Sequence, residues 1–237
     1  MRKRLYGIVL ALAAAVAAGC SHNMERVTLP PEAPMTGIRR IAIVGFGNFT
    51  VDPSLHLLFM QFVARDLAGH YELVDQAQAD AALAALGVSR EELATPRVAR
   101  SLGEHLNVDA IITGAAVYYF DDSTISRPQC IGCSSQRSTP SWYVHHETMV
   151  YTTFQARLIR TSDGAVIWSK SVDGRDTTSR TIYLNWSGGS DNPPPSTLIP
   201  SVDRGDIPVT RQEAVRKAAG EFTKDLLPRQ AWVRRAD

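Results

Sequence analysis

Two uninterrupted apolar runs, Arg39-Arg-Ile-Ala-Ile-Val-Gly-Phe46 and Val108-Asp-Ala-Ile-Ile-Thr-Gly-Ala-Ala-Val-Tyr-Tyr-Phe120, constrain this chain more than any other feature. A strand without polar alternation is the pattern of one covered on both faces, so helices must lie on both sides of the sheet. The residues between the runs supply them. Leu55, Leu58, Phe59, Phe62, Val63 and Leu67 recur at helical spacing and predict an amphipathic helix over Ser54 to Gly69. Tyr71-Glu-Leu-Val74 reads as a short strand. Ala79, Ala82, Leu83 and Leu86 form a second stripe ending at Gly87, and Ser89 with Glu92 forms a capping box. Thr95-Pro96 then has the form of an N-cap followed by proline at the first helical position, with Val98, Leu102 and Leu106 as the buried stripe. Strand and helix alternate as a parallel or mixed covered sheet requires, which gives an α/β (α+β) class.

The pattern changes after Phe120. Val150, Thr152, Phe154, Ala156 and Leu158 alternate along Glu147 to Arg160, Thr161-Ser-Asp-Gly164 supplies a turn, and Ala165 to Val172 returns as the partner of an antiparallel hairpin. Two long loop inserts are expected around it, Asp121 to His146 and Asp173 to Pro208, the second carrying Gly188-Gly189 and Pro193-Pro194-Pro195. Thr210-Arg-Gln-Glu213 reads as a capping box for a last helix presenting Val215, Ala219, Phe222 and Leu226 before Pro228. The folded unit is thus a mixed sheet flanked by helices over residues 38–228, followed by a tail, 229–237.

The first residues are of another kind. Arg2-Lys3-Arg4 precede an uncharged apolar run too short to span a bilayer, and small residues lead to Cys20, so residues 1–19 read as a secretory signal. Ala17-Ala18-Gly19-Cys20 resembles the bacterial lipobox, which implies diacylation of the Cys20 thiol, cleavage before it and acylation of the freed amine. Residues 20–37, with Pro30, Pro31 and Pro34, are expected to be an extended tether. Ser21 stands where Asp would mark inner-membrane retention, so the sorting rule implies the outer membrane, facing the periplasm. Loss of the signal's three basic residues leaves a chain near neutral, which does not favour a nucleic-acid partner.

A lipobox, a tether, "RRIAIVGFGNFT", "YELVD", "LGEHLNVDAIITGAAVYY", "TSDGAVIWSKSVDG" and "AVRKAAGEFTKDLLP", in that order, together resemble the CsgG-like lipoproteins. That family includes the curli secretion channel lipoprotein and, more distantly, the Pel polysaccharide secretion lipoprotein and penicillin-binding-protein activators. In the curli channel the segments matching the two inserts form membrane-spanning hairpins. Here Ser123 to Ser141 contains two prolines, two cysteines and a run of small polar residues, which is not the alternation of a barrel strand. The resemblance therefore implies a non-enzymatic, oligomeric scaffold or gate subunit of an export or surface-assembly system. Its alternative is a monomeric regulator of an envelope enzyme.

Local chemistry is sparse. Cys130-Ile-Gly-Cys133 is expected to form a disulfide in an oxidising periplasm. The alternative is zinc held by Cys130, Cys133, His145 and His146, although adjacent residues on a strand point to opposite faces. Gly45-Phe-Gly-Asn-Phe-Thr50 has Thr at the third glycine position of a dinucleotide fingerprint and reads as a tight turn. Asp121-Asp122 reads as a solvated turn, with calcium as its alternative. Trp142, Tyr143 and Trp186 are aromatic residues within the inserts and serve either as packing or as partner anchors. No convergent acid, base or nucleophile is visible, no cofactor is implied and no small-molecule substrate is evident.

Overall fold

A computed structural model describes residues 24–89, 91–133 and 139–234; the expected signal sequence and Cys20 lie outside them. The described residues fall into two units, Ala33–Thr223 and a smaller one made of the flanking segments up to Glu32 and from Lys224.

In the larger unit β2 (Arg40–Ile43) lies between β4 (Glu72–Leu73) and β5 (Ala110–Ile125), parallel to both. The two-residue β3 (Gly47–Asn48) continues along β5, again parallel. The opposite edge of β5 takes β7 (Ser141–Arg160) antiparallel, and β7 then carries β8 (Val166–Leu184). The short β6 (Gln129–Ile131) pairs with the start of β7. The sheet is mixed and open, in the order β4-β2-β5-β7-β6 with β3 and β8 alongside β5 and β7.

Helices cover the inner end of this sheet on both faces, as its apolar strands require. On one face α1 (Leu55–Leu67) and α4 (Ile207–Thr223) meet at a cluster of rings. Phe59 stacks on Phe154 at 4.2 Å and tilts against Phe46 and Phe222 at 5.5 and 6.2 Å. Gly114 leaves room for Phe46, because a Cβ there would stand 2.9 Å from its ring and 2.1 Å from the Gln155 carbonyl. On the other face α2 (Gln76–Leu86) and α3 (Pro96–Leu106) bury Ala79, Ala82, Leu102 and Leu106 against Ala42, Val44, Ile111 and Ile159.

Short-range chemistry sets the helix ends, although the expected N-cap Thr95 makes no side-chain cap hydrogen bond and donates to the Glu92 carbonyl instead. Asp75 accepts from the Ala77 N–H, and Gly87 closes α2 at φ +60°. Of the expected capping box one half forms: Ser89 donates its N–H to the Glu92 carboxylate, but its Oγ donates to the same carboxylate while the Glu92 N–H goes to the Ser89 carbonyl. Pro96 opens α3 and Asn107 ends it in the left-handed region. Gly45, at φ +62°, interrupts the strand between β2 and β3, which continue along the same edge of β5, so the tight turn expected over Gly45–Thr50 is not formed.

Four further expectations are corrected. Asp121–His146 and Asp173–Pro208 are not wholly loops: β5 continues to Ile125, β7 begins at Ser141 and β8 continues to Leu184. Threonine, isoleucine and tyrosine carry these extensions, residue types whose branched or ring side chains suit a pleated surface even where polarity masks the alternation. Asp121-Asp122 is consequently strand, not turn. Thr210 is not a cap, because α4 starts three residues earlier at Ile207 and Thr210 Oγ1 donates back to the Asp206 carbonyl.

The fourth correction concerns the smaller unit. In the expected tether, Met24–Leu29 forms β1, which pairs antiparallel with β9 (Arg229–Arg234) of the expected tail. Arg229 and Glu32 add an ion pair at 2.7 Å.

Candidate interaction site on the outer sheet

Beyond Ala116 the strands β5, β7 and β8 leave the doubly covered core and continue together as a three-stranded layer. Because side chains alternate, its two faces differ in composition and in cover.

One face carries Trp142, Val144, His146, Thr148, Val150 and Thr152, all buried on β7. Helix α4 covers part of it: a Cβ on Gly174 would lie 2.0 Å from the Ala214 carbonyl oxygen, and Thr178 and Thr210 share a hydrogen bond at 2.8 Å. The segment 185–206 covers the rest. Trp142 Nε1 donates to the Gly188 carbonyl at 2.6 Å, and Asp203 N donates to His146 Nε2 at 3.2 Å. The other ring nitrogen, Nδ1, faces Asp206 Oδ2 at 3.7 Å. Arg180 reaches Asp203 at 2.6 Å and Asp206 at 3.7 Å, while Arg204 pairs with Asp121. Hydrogen bonds from Gly205 and Arg180 hold the Asp203 carboxyl below its ordinary range.

A second polar cluster locks α4 to the loop after β3. Asn48 Nδ2 donates to the Asp52 carbonyl, Asp52 Oδ1 accepts from Ser54 N and Oγ, and Arg211 pairs with its other oxygen. Burial opposes ionisation of Asp52, but the Ser54 hydrogen bonds and Arg211 outweigh it, so its carboxyl sits below the usual value. Tyr119 is pushed far above the ordinary phenol range by burial, reinforced by its hydrogen bond to Asp121.

The opposite face is open. Tyr118, Phe120, Met149, Tyr151, Tyr143, His145 and Tyr183 share it by register. Tyr118 and Tyr151 meet edge to face at 5.6 Å, and Tyr143 lies 5.1 Å from His145 and 6.2 Å from Tyr183, which is 66% exposed. The loop after β3 adds Phe49 and Val51, at 76% and 88% exposure. Among the described residues, no strand pairs along Tyr118–Ile125 with the edge of β5 away from β7, or with the edge of β8 away from β7.

The sequence candidates are therefore separated. Cys130 and Cys133 are joined by a disulfide, with Cα atoms 5.8 Å apart. His145 is on the open face and His146 on the covered one, so the four residues of the zinc alternative do not converge. Trp142 is buried and Trp186 half-buried, and both bond within the protein, Trp186 donating to the Asn192 carbonyl at 2.9 Å. Tyr143 alone of the three partner candidates stands on the open face, its hydroxyl donating to Gln129. Tyr118, Phe120, Tyr151 and Tyr183 were missed because alternate spacing in a run already assigned to core or loop gives no separate signal. At the other end of the sheet a cleft of about 450 Å³ includes Arg100, Glu104, Asp109 and Arg160. There Asp109 already accepts from the Arg39 and Arg40 N–H groups, and Arg160 pairs with Asp163.

No protein-family model matches the chain, and no curated protein does. Among solved structures it is similar to lipoprotein GNA1162 from Neisseria meningitidis, at 17% identity over 68% of this chain and 90% of that one, with a TM-score of 0.42. It is similar to the LpoB C-terminal domain from Salmonella enterica at 14% identity, covering 61% and 84%, with a TM-score of 0.35. It is also similar to the PelC dodecamer from Paraburkholderia phytofirmans at 15% identity, covering 87% and 99%, with a TM-score of 0.37. Superpositions this partial transfer no role.

Proposed function

We propose that this protein is a lipid-anchored, periplasm-facing lipoprotein of the outer membrane that acts without catalysis, as an oligomeric scaffold or gate subunit of an export or surface-assembly complex. The observation that carries the reading is the outer layer of β5, β7 and β8, with one face and two strand edges uncovered. Its aromatic residues supply large rigid contact area at low entropic cost, and its edges supply unpaired backbone donors and acceptors. Both are what a protein partner uses.

The layer is not suited to enter lipid by itself. A barrel strand needs an apolar band on its outward face. Here the open face carries Asp122, Glu147 and Arg175, and the covered face carries Asp121, Asp176 and Arg180. The anchor role falls to Cys20, whose acyl chains would hold the mature chain to the bilayer.

The size of the solubilised, acylated protein tests the assembly. A closed ring supports the proposal; a monomer at working concentration replaces it with regulation of an envelope enzyme. Cys20→Ala tests the anchor: the protein should appear in the soluble periplasmic fraction, and retention on salt-washed membranes refutes Cys20 as the attachment.

A further inference from the structure

The β1–β9 ribbon is a two-stranded sheet of six-residue strands whose described residues are mostly exposed. A two-stranded ribbon is marginal in water. Cross-strand partners share a face, so Met24, Arg26, Thr28, Gln230 and Trp232 lie on one side, where Gln230 Nε2 donates to Thr28 Oγ1 at 3.1 Å. Trp232 is 65% exposed and Met24 50% exposed, and Arg26 is the direct cross-strand partner of Trp232. Glu25 and the Arg229–Glu32 ion pair belong elsewhere, Glu25 by register on the opposite face. The exposed face thus combines an indole, a thioether and a guanidinium without a carboxylate.

Its distance from the bilayer is set by the chain. Only residues 21–23 separate Cys20 from Met24. A fully extended chain gains at most about 3.5 Å per residue, so the ribbon starts within about 14 Å of the acylated cysteine. An indole beside a guanidinium is the pairing that suits the headgroup layer, where one end of each group is apolar and the other wet.

Resting on the anchor reading above, we infer that the Met24/Arg26/Trp232 face of the ribbon lies in the phospholipid headgroup layer of the bilayer that holds the Cys20 acyl chains. The ribbon is then a second membrane contact, whose local concentration at the surface is fixed by the lipid. Trp232 sits at the inner boundary of the headgroup layer, against the start of the acyl chains, and Arg26 faces phosphate.

The test uses the acylated protein in vesicles of phosphatidylethanolamine and phosphatidylglycerol, with or without lipids brominated on the upper acyl chain. The emission of Trp232 is taken as the difference between the wild type and Trp232→Phe. That emission should be quenched by the brominated lipids, and Arg26→Glu should weaken the quenching. Unquenched Trp232 emission in protein whose intact mass shows the acyl chains overturns the placement while leaving the anchor standing. Absence of the acyl mass overturns the anchor and the placement together. A Trp232 emission that shifts with protein density, and not with bromination, assigns the face to a second copy and also overturns it.

Discussion

The contact between Gly174 of β8 and α4 allows a prediction in which one substitution has opposite signs at two glycines. A Cβ added to Gly174 would stand 2.0 Å from the Ala214 carbonyl oxygen, 2.8 Å from its carbon and 3.0 Å from Ala218 Cβ. Ordinary contact begins at 3.4 Å, so strand and helix must separate by about 1.4 Å. The obstacle is backbone, so no side-chain rotation relieves it. Overpacking of this kind costs about 1–3 kcal/mol, which in a domain of this size lowers Tm by roughly 3–10 °C. Gly220, on the same helix, has nothing within 4 Å of its added Cβ. There Gly→Ala removes backbone freedom from the unfolded chain and should raise stability by about 0.5–1 kcal/mol. Thermal unfolding of purified Gly174→Ala and Gly220→Ala measures both. Adding Ala218→Gly to the first variant should recover little, because it removes only the longest of the three contacts. A Gly174→Ala protein with wild-type Tm, or one rescued by Ala218→Gly, would refute the claim that the helix backbone seats directly on the strand.

Asp52→Asn should cost about 1–3 kcal/mol at neutral pH, since it removes the buried partner of Arg211. The folded carboxyl lies below its unfolded value, so its contribution is present above that value and disappears as pH falls through the folded one. Urea midpoints of wild type and variant should therefore converge on acidification below about pH 4, and a gap that stays constant to pH 2 would contradict the assignment. Trp142→Phe leaves the Gly188 carbonyl without its indole donor and should cost about 1 kcal/mol. Limited proteolysis should then cut the 185–206 segment faster than in the wild type; unchanged cleavage removes Trp142 as its clasp. Cys130→Ser with Cys133→Ser should leave secondary structure intact by circular dichroism, since the closed loop is only four residues, while native intact mass should show the two missing hydrogens of the bond. A wild-type mass with both thiols protonated would exclude the disulfide.

The inner fold was legible because its signals are strong and redundant. Ile41 to Val44 and Ala110 to Ile112 read as covered strands, and Gly87 and Pro96 mark helix ends through chemistry that acts within a few residues. The outer layer was not. Thr177-Thr178-Ser179-Arg180-Thr181 is polar at every position, and what makes it strand is twenty residues of β7 with which to pair, a contact that no local window contains. The same holds for β1, whose partner is at the other end of the chain. Of the candidate site, the cysteine pair was readable from spacing, whereas the separation of His145 from His146 was fixed by parity along one strand. Trp142 and Trp186 were conspicuous by type, but their indole N–H groups had found carbonyls within the protein.

The pairing of β1 with β9 also sets an order of events. Thr28 and Gln230 are 202 residues apart, so at about 5–20 residues per second the partner of β1 is synthesised about 10–40 s after it. Throughout that interval Met24–Leu29 lacks the segment it pairs with in the fold. Its pairing with β9 is a late step that reports that the whole length between them has been made. A truncation anywhere before Arg229 would leave that segment unpaired, and the cell would meet an incomplete copy of this protein first at its N-terminus.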